Sequence, residues 1–544
     1  MKKILLITLL CSILSAVCLQ AAQSRETSRP DIELSGAAPN SEPIAVGQKR
    51  FLVILVQFPD QAFYTADAQT AFSNMMNETA YSRYGAYGSA KDYFYDNSNG
   101  IFEPIFDVYG PVTVSQELAY YGDNDENGKD KHPEEAVYEA CVLLDNQIDF
   151  SRYDNDSNGI VDLAFMYYAG KGETDYKYED TILPHNWSLS ASSLTLVLDG
   201  KTVDAYACTS ELTSEGTMCG ISTACYEFAR AMGLPDFYDT DKDANGYSAG
   251  LFNFSLMSGG RYLNDGRIPP YLNIVERIML GWISEEEALE EITAPGSYTL
   301  KPVWENKAFK TATDQNGEYF IYEYRDNTGW DSYLPAHGML VYHVDKSSRK
   351  VRTQDFGQIL ASELWSNWKK TNSINENGGH PCFYIVPAID QDNLGYGLEY
   401  YPDLGYSVFD PSDTGKAQNI PFPGQGNITS FTAKSWNGVE SSITLSDISY
   451  SGGQVTFNVS VPYNLDYYTI LNPKAGVYSV GDNFELGVNQ VAGKPYTSIK
   501  WYLDGTEVSG TSIPLTTAGT HKIKADITLQ DGKRQAVTLE ITVQ

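Results

Sequence analysis

The sequence predicts a multidomain α+β protein that passes from an α+β domain to a β-rich domain and then to a small β-sandwich. Three observations carry this expectation. The chain has 544 residues, more than a single core accommodates. Apolar β-branched runs alternate with helically spaced segments up to about residue 284. Beyond that point, short alternating segments are separated by Gly, Asn, Asp and Pro turns.

Phe51 to Phe58 is an apolar run broken only by Gln57 and ended by Pro59-Asp60, which marks a buried strand. Helical spacing follows over Ala66 to Met76, Ala90 to Asp96 and Glu134 to Leu144, and Val161 to Tyr168 reads as another strand. These elements form an expected domain over residues 48–284, closing near the helix end Leu280-Gly281-Trp282. Strands expected over Glu318 to Tyr324, Gly338 to Val344, Cys382 to Pro387, Ile443 to Tyr450 and Gln454 to Val461 make a β-rich domain of residues 285–462. Residues 463–544 carry turn signals at Asp504-Gly505 and Asp531-Gly532. Trp501 falls at a central strand position there, which predicts an immunoglobulin-like β-sandwich without a cysteine pair.

Lys2 and Lys3 precede an apolar stretch from Ile4 to Leu19, followed by Ala21-Ala22, the pattern of a secretory signal peptide over residues 1–22. A polar linker is expected over 23–47. Cys18 suggests lipoprotein anchoring, but Ser15-Ala16-Val17 makes a weak lipobox, so export to the periplasm, medium or cell surface is the stronger expectation. No later run reaches the roughly 20 apolar residues of a membrane span. The formal charge of −32 argues against nucleic acid and anionic membrane as partners bound through bulk charge. Removing residues 1–22 leaves Cys141, Cys208, Cys219, Cys225 and Cys382. Five is an odd number, and the spacing allows Cys208–Cys219 or Cys219–Cys225 without choosing between them.

The segment from Cys225 to Asp236 has helical spacing, with Gly233 as a stop and Pro235 just after. Tyr226, Glu227 and Arg230 lie on one face of that helix. Ser255-Leu256-Met257-Ser258-Gly259-Gly260 forms a tight turn containing Met257. With these stand Gly233-Leu234-Pro235-Asp236-Phe237-Tyr238-Asp239, Asp92-Tyr93-Phe94, Phe106-Asp107-Val108-Tyr109-Gly110-Pro111, Asp149-Phe150-Ser151-Arg152-Tyr153-Asp154 and Pro184-His185-Asn186-Trp187. Further on come Glu318-Tyr319-Phe320-Ile321-Tyr322-Glu323, Trp330-Asp331-Ser332-Tyr333-Leu334-Pro335 and Pro421-Phe422-Pro423-Gly424. On these motifs residues 48–460 resemble secreted bacterial metallopeptidases of the immune inhibitor A type, zincins with a Met-turn. The resemblance implies a zinc helix H-E-x-x-H-x-x-G-L-P-D, with Glu227 as general base, Asp236 as third ligand and Met257 in the Met-turn.

The chain departs from that pattern at both histidines, where it has Tyr226 and Arg230. Imidazole nitrogens at i and i+4 are what zinc grips on a helix. A guanidinium has no lone pair to offer and is always charged, and a tyrosine binds metal only as phenolate, from a resting pKa near 10. Zinc is therefore expected to be absent and Glu227 idle, with Arg230 bridging Glu227 and Asp236 in its place. Among the histidines (His132, His185, His337, His343, His380 and His521) none is in i, i+4 register with another.

Calcium is the second chemical signal. Asp154, Asp156, Asn158, Ile160 and Asp162 place oxygens at alternate positions around a Gly turn, as a hard cation requires. Asp123, Asp125, Asn127 and Glu134 match the EF-hand spacing, and Asp239 to Gly246 is a third such run. The leading functional expectation is a pseudopeptidase that binds peptides or proteins in the former cleft. A working metalloendopeptidase with a non-standard metal site is the first alternative. A surface adhesion or glycan-binding protein, using the β-rich half and a platform of Trp365 and Trp368, is the second.

Overall fold

Leu52 to Val56 form the centre of strand β1 (Gly47–Gln57), which is buried on both faces. Phe51, Val53 and Leu55 enter one apolar cluster, Leu52, Ile54 and Val56 another, which is why the run is continuously apolar. The computed structural model describes residues 45–126, 130–173, 180–240, 248, 250–353, 357–368, 374–388, 398–401, 406–409, 417–460, 468–472, 474, 477–490, 495–530 and 534–544. The expected signal peptide and all but the last three residues of the expected linker lie outside the described residues.

Around β1 a five-stranded sheet is built from β2 (Phe102–Thr113), β3 (Ala164–Lys171), β4 (His185–Ser188) and β5 (Ala205–Leu212), in the order β2-β1-β3-β5-β4. Four strands are parallel and the edge strand β4 runs antiparallel to β5. Helices cover both faces. Helices α1 (Ala68–Asn77), α2 (Ala90–Asn97) and α4 (Ser222–Ala231) pack on the Phe51 side, and α3 (Pro133–Leu144) on the Leu52 side. The strand expected from Val161 begins at Ala164, because Val161 is bonded through its N–H to the Thr202 carbonyl at 2.9 Å in the loop before it.

A second sheet contains β6 (Leu289–Glu291), β7 (Ala308–Ala312), β8 (Glu318–Arg325), β9 (Gly338–Asp345) and β10 (Phe383–Val386), in the order β10-β9-β8-β7-β6. Glu440–Ser451 and Gln454–Ser460 are also strands. The chain divides into two compact units. One comprises residues up to 291 with 299–429 and 448–456; the other comprises 292–298, 430–447 and 457–544. The expected boundary at 284/285 does not coincide with this division. The reason is a buried polar network that ties the second sheet to residues 254–274 of the expected first domain. Arg325 of β8 donates to the carbonyls of Phe254 (2.9 Å) and Tyr271 (2.8 Å) and pairs with Asp331, and Glu323 accepts from the Ile274 N–H at 2.7 Å.

In the smaller unit, five strands assemble in the order β11-β15-β14-β12-β13: β11 (Val477–Tyr478), β12 (Tyr496–Leu503), β13 (Thr506–Val508), β14 (Gly519–Leu529) and β15 (Arg534–Val543). Trp501 on β12 is buried in its core with Phe484, Ile523 and Ile541. The five cysteines among the described residues are free thiols, so neither cysteine pair that the spacing allowed is formed. Trp365 and Trp368 are not an exposed platform: Trp368 is buried, and Trp365 packs on Phe383 and donates to the Asp345 carbonyl at 2.8 Å. Among the described residues no helix is long and apolar enough to cross a membrane.

Helix α5 (Ile274–Met279) starts with a capping box in which Asn273 accepts from the N–H of Glu276 and Glu276 accepts from the N–H of Asn273. Burial pushes the Glu276 carboxyl up to about 7, against the hydrogen bonds from Ser255 and Asn273 that lower it. A carboxyl raised above its unfolded value stabilises the fold below pH 4 and loses that contribution as pH rises to about 7. The melting temperature of Glu276→Gln minus that of the natural chain should therefore increase from pH 4.5 to pH 7.5 (about those values, bracketing the shift). A difference that stays flat would refute this account.

Candidate functional site

Helix α4 owes its position to Phe228. Its ring lies 5.1 Å from Phe51, 4.9 Å from Phe106 and 5.4 Å from Phe165, so the buried face of the helix is anchored by aromatic contacts with three strands. The helix ends at Gly233, whose φ of +114° suits a residue without a side chain. The Leu234 N–H reaches back to the Ala229 carbonyl at 3.0 Å, and the reversal returns Asp236 to the helix face that holds Tyr226, Glu227 and Arg230.

All four side chains are buried. Arg230 Nη1 donates to Asp236 Oδ2 at 2.6 Å, and the Tyr226 hydroxyl donates to Asp236 Oδ1. Arg230 Nε lies 3.9 Å from Glu227 Oε2, an oxygen that also accepts from Asn186 Nδ2 at 2.7 Å. Burial works against the Arg230 charge, yet the Asp236 carboxylate, with Tyr226 and Glu227, raises its pKa well above the ordinary value. Burial, helped by the Asp236 charge, also holds the Tyr226 phenol well above its usual range, so this residue is a neutral donor. Behind them Arg261 lies over the Tyr226 ring at 4.3 Å and over the Tyr262 ring at 4.9 Å.

Met257 is buried. Its carbonyl accepts from the Phe237 N–H at 2.9 Å, and its N–H donates to Ser255 Oγ at 3.0 Å. The turn thus props the segment that carries Asp236. Gly260 is required in it, because a Cβ there would sit 2.4 Å from the Ser255 carbonyl oxygen. His185 is held between the Leu183 carbonyl (2.6 Å) and the Tyr206 hydroxyl (2.9 Å). Two neighbours of the site carried no role in the sequence reading: Asn186, within a quoted motif, and Arg261. They meet Glu227 and Tyr226 only through the fold, and no spacing rule marks them.

The Asp154 loop brings acidic oxygens together. Among the described residues, ligand atoms of Asp154, Asp156 and Asp162 lie within 4.8 Å of one another. Asn158 Oδ1 accepts from the Ile160 N–H at 2.8 Å, and Asn155 Nδ2 donates to Asp162 Oδ2 at 2.6 Å. Burial, reinforced by the charges of Asp156 and Asp154, pushes Asp162 up to about 7. Burial also raises Asp156. At Asp154 burial acts in the same direction, but the hydrogen bond from Lys201 Nζ at 2.6 Å, the Lys201 charge and the N–H groups of Gly159 and Asn158 together outweigh it and lower the pKa. In the first acidic loop Asp123 pairs with Lys131 at 2.6 Å and Glu134 is buried at the start of α3, while Asn127 lies outside the described residues. Of the third run Asp239 is buried, and residues 241–246 lie outside the described residues.

Residues 43–271 match the family model described as the immune inhibitor A peptidase M6 catalytic domain. Over 255 residues the chain is 24% identical to immune inhibitor A of Bacillus thuringiensis subsp. alesti, a match covering 40% of this chain and 37% of that protein. The chain thus spans little more than a third of that relative's length. Solved structures with local likeness include fibronectin(III)-like modules of Clostridium thermocellum CbhA (24% identical, 14% of this chain and 93% of that one) and a polysaccharide lyase (8% identical, 45% and 36%). Both have a TM-score of 0.13, at which the likeness fixes no fold.

The arrangement around Asp236 makes a stability prediction. Removing one partner of a buried ion pair leaves the other charge uncompensated, at a cost of about 3–5 kcal/mol. Arg230→Ala is expected to lower the stability of the larger unit by about that amount in chemical denaturation. An unchanged midpoint would show that the pair holds nothing together.

Proposed function

We propose that this chain, which through residues 43–271 belongs to the immune inhibitor A peptidase M6 family, is an exported pseudopeptidase that binds a peptide or protein in the former cleft. One observation carries the reading: Arg230 lies 2.6 Å from Asp236 and stands with Tyr226 where the resemblance places zinc-binding histidines. The donor set does not fit zinc. A catalytic zinc site needs three protein ligands with available lone pairs. Here one position is a permanent cation, one is a neutral phenol, and both oxygens of Asp236 already accept hydrogen bonds. No reaction step therefore runs through zinc in this chain, and Glu227 has no polarised water to work on.

Strand β4 supports the binding half of the reading. It is the antiparallel edge of the first sheet, and its Asn186 touches Glu227. An extended peptide pairs with such an edge through main-chain hydrogen bonds, a mode that needs no metal. We read the domain as zincin-like on the same grounds, and the smaller unit as immunoglobulin-like from its antiparallel sheet and buried Trp501.

The reading extends to calcium in the Asp154 loop. Carboxylates of Asp154, Asp156 and Asp162, with Asn158 Oδ1 and the Ile160 carbonyl, are the hard oxygen donors that calcium takes. The fit rests on Asp162, a half-buried carboxyl whose pKa burial, with the charges of Asp156 and Asp154, raises to about 7 and whose charged form a divalent ion would favour. The ion would tie the loop to the start of β3.

Two measurements test the proposal. Elemental analysis of the purified chain after exposure to zinc and dialysis should find far less than one zinc per chain, and casein should remain uncut. A stoichiometric zinc content with zinc-dependent casein cleavage would overturn the pseudopeptidase reading. Millimolar calcium should raise the melting temperature, and the double variant Asp156→Asn, Asp162→Asn should lose that rise. Flat calorimetric titration with unchanged melting would end the calcium assignment.

A further inference from the structure

We infer that the larger unit carries a second binding site, an open neutral groove that takes an uncharged saccharide. The groove has a volume of about 610 Å³ and shares no residue with the Arg230 site, so the inference does not rest on the pseudopeptidase reading. That volume suits a small-ligand site. Its polar wall is made by Asn327, His337, Gln418, Gln425, Asn427 and Tyr450. No residue lining it is Asp, Glu, Lys or Arg, although one residue in five of the chain is charged.

The wall is held in place by its own backbone. Met339 and Phe422 exchange two hydrogen bonds, at 3.0 and 2.8 Å, and Gly338 lets the strands approach: a Cβ on it would lie 2.4 Å from the Phe422 carbonyl oxygen. Asn419 Oδ1 accepts from the N–H of Gln425 at 3.0 Å and of Gly426 at 3.3 Å, and the Ile428 N–H donates to the Pro423 carbonyl at 2.7 Å. Ile448 is tied to the Thr429 carbonyl at 2.9 Å. Asn327 Nδ2 donates to the Leu334 carbonyl at 2.7 Å, and its Oδ1 lies 3.0 Å from His337 Nδ1. The His337 and Tyr450 rings pack at 4.6 Å, and the Tyr450 ring is 39% exposed, which gives the groove an aromatic face. Amides presented by a fixed backbone lose little freedom on binding.

This lining selects by chemistry. An ionic ligand would find no counter-charge, and an apolar one would strand the amides it covers. Carboxamides donate and accept at once, as sugar hydroxyls do. The Tyr450 ring offers a surface for the C–H face of a pyranose. A peptide would instead use main-chain pairing along an edge strand, whereas this wall is made by side chains mostly from connecting segments, and its one strand, Glu440–Ser451, lies inside its sheet.

The test is an array of neutral, sialylated and sulfated oligosaccharides, with a peptide array beside it, probed with the full chain. Neutral oligosaccharides alone should be retained. Titration of the best-retained one should show Gln425→Ala and Tyr450→Ala each weakening binding about tenfold or more, with melting temperatures unchanged. Retention of acidic glycans only, of peptides lost in the same variants, or of nothing would overturn the inference, as would neutral-glycan binding that survives both substitutions.

Discussion

A guanidinium lodged 2.6 Å from a buried carboxylate sets the electrostatics of the face of α4 that holds Tyr226 and Glu227. Asp236 is buried and needs a positive neighbour, since an isolated buried carboxylate is costly. In the pattern this chain resembles, a divalent ion supplies that charge and also acts as Lewis acid. Arg230 supplies the charge alone. It satisfies the electrostatic demand of Asp236, and a guanidinium has no lone pair to offer. The helix does not depend on that charge for its place, because Phe228 packs against the first sheet whatever occupies the other face.

A second buried network explains why the site keeps its shape. Ser255 in the Met257 turn donates to Glu276, and Glu276 caps the helix whose first N–H is accepted by Glu323 of β8. Arg325 on the same strand holds the carbonyls of Phe254 and Tyr271. The turn beneath Asp236 is thus clamped by the second sheet. Such buried networks specify one arrangement strongly, because each further lost partner leaves a buried polar group unsatisfied.

What was legible in the sequence was local. The apolar run around Val53 revealed β1 because both its faces are buried, and Gly233 marked the end of α4 because that position needs positive φ. Tyr226 and Arg230 stood out because ligand spacing on a helix is a short-range rule, and the Asp154 loop for the same reason. What could not be read was contact across the fold. Asn186 meets Glu227 from 41 positions away, and Lys201 meets Asp154 from 47. The boundary expected at 284/285 came from a real change of pattern. Yet the residues that span it are charged ones, Arg325, Asp331 and Glu323, which in a sequence look like ordinary surface residues and here are fully buried.

The two acidic clusters follow one electrostatic rule to different ends. At Asp236 the positive partner is built into α4, four residues beyond Tyr226, so the charge is permanent. In the Asp154 loop the built-in cation reaches only one carboxylate. Lys201 lowers the pKa of Asp154, while Asp162 accepts from the neutral amide of Asn155 and stays raised to about 7. A fixed cation balances the carboxylate it reaches, and a carboxyl beyond its reach keeps a raised pKa. The distribution of these internal cations, more than the number of acidic residues, therefore sets how the carboxyls inside this strongly acidic chain are balanced.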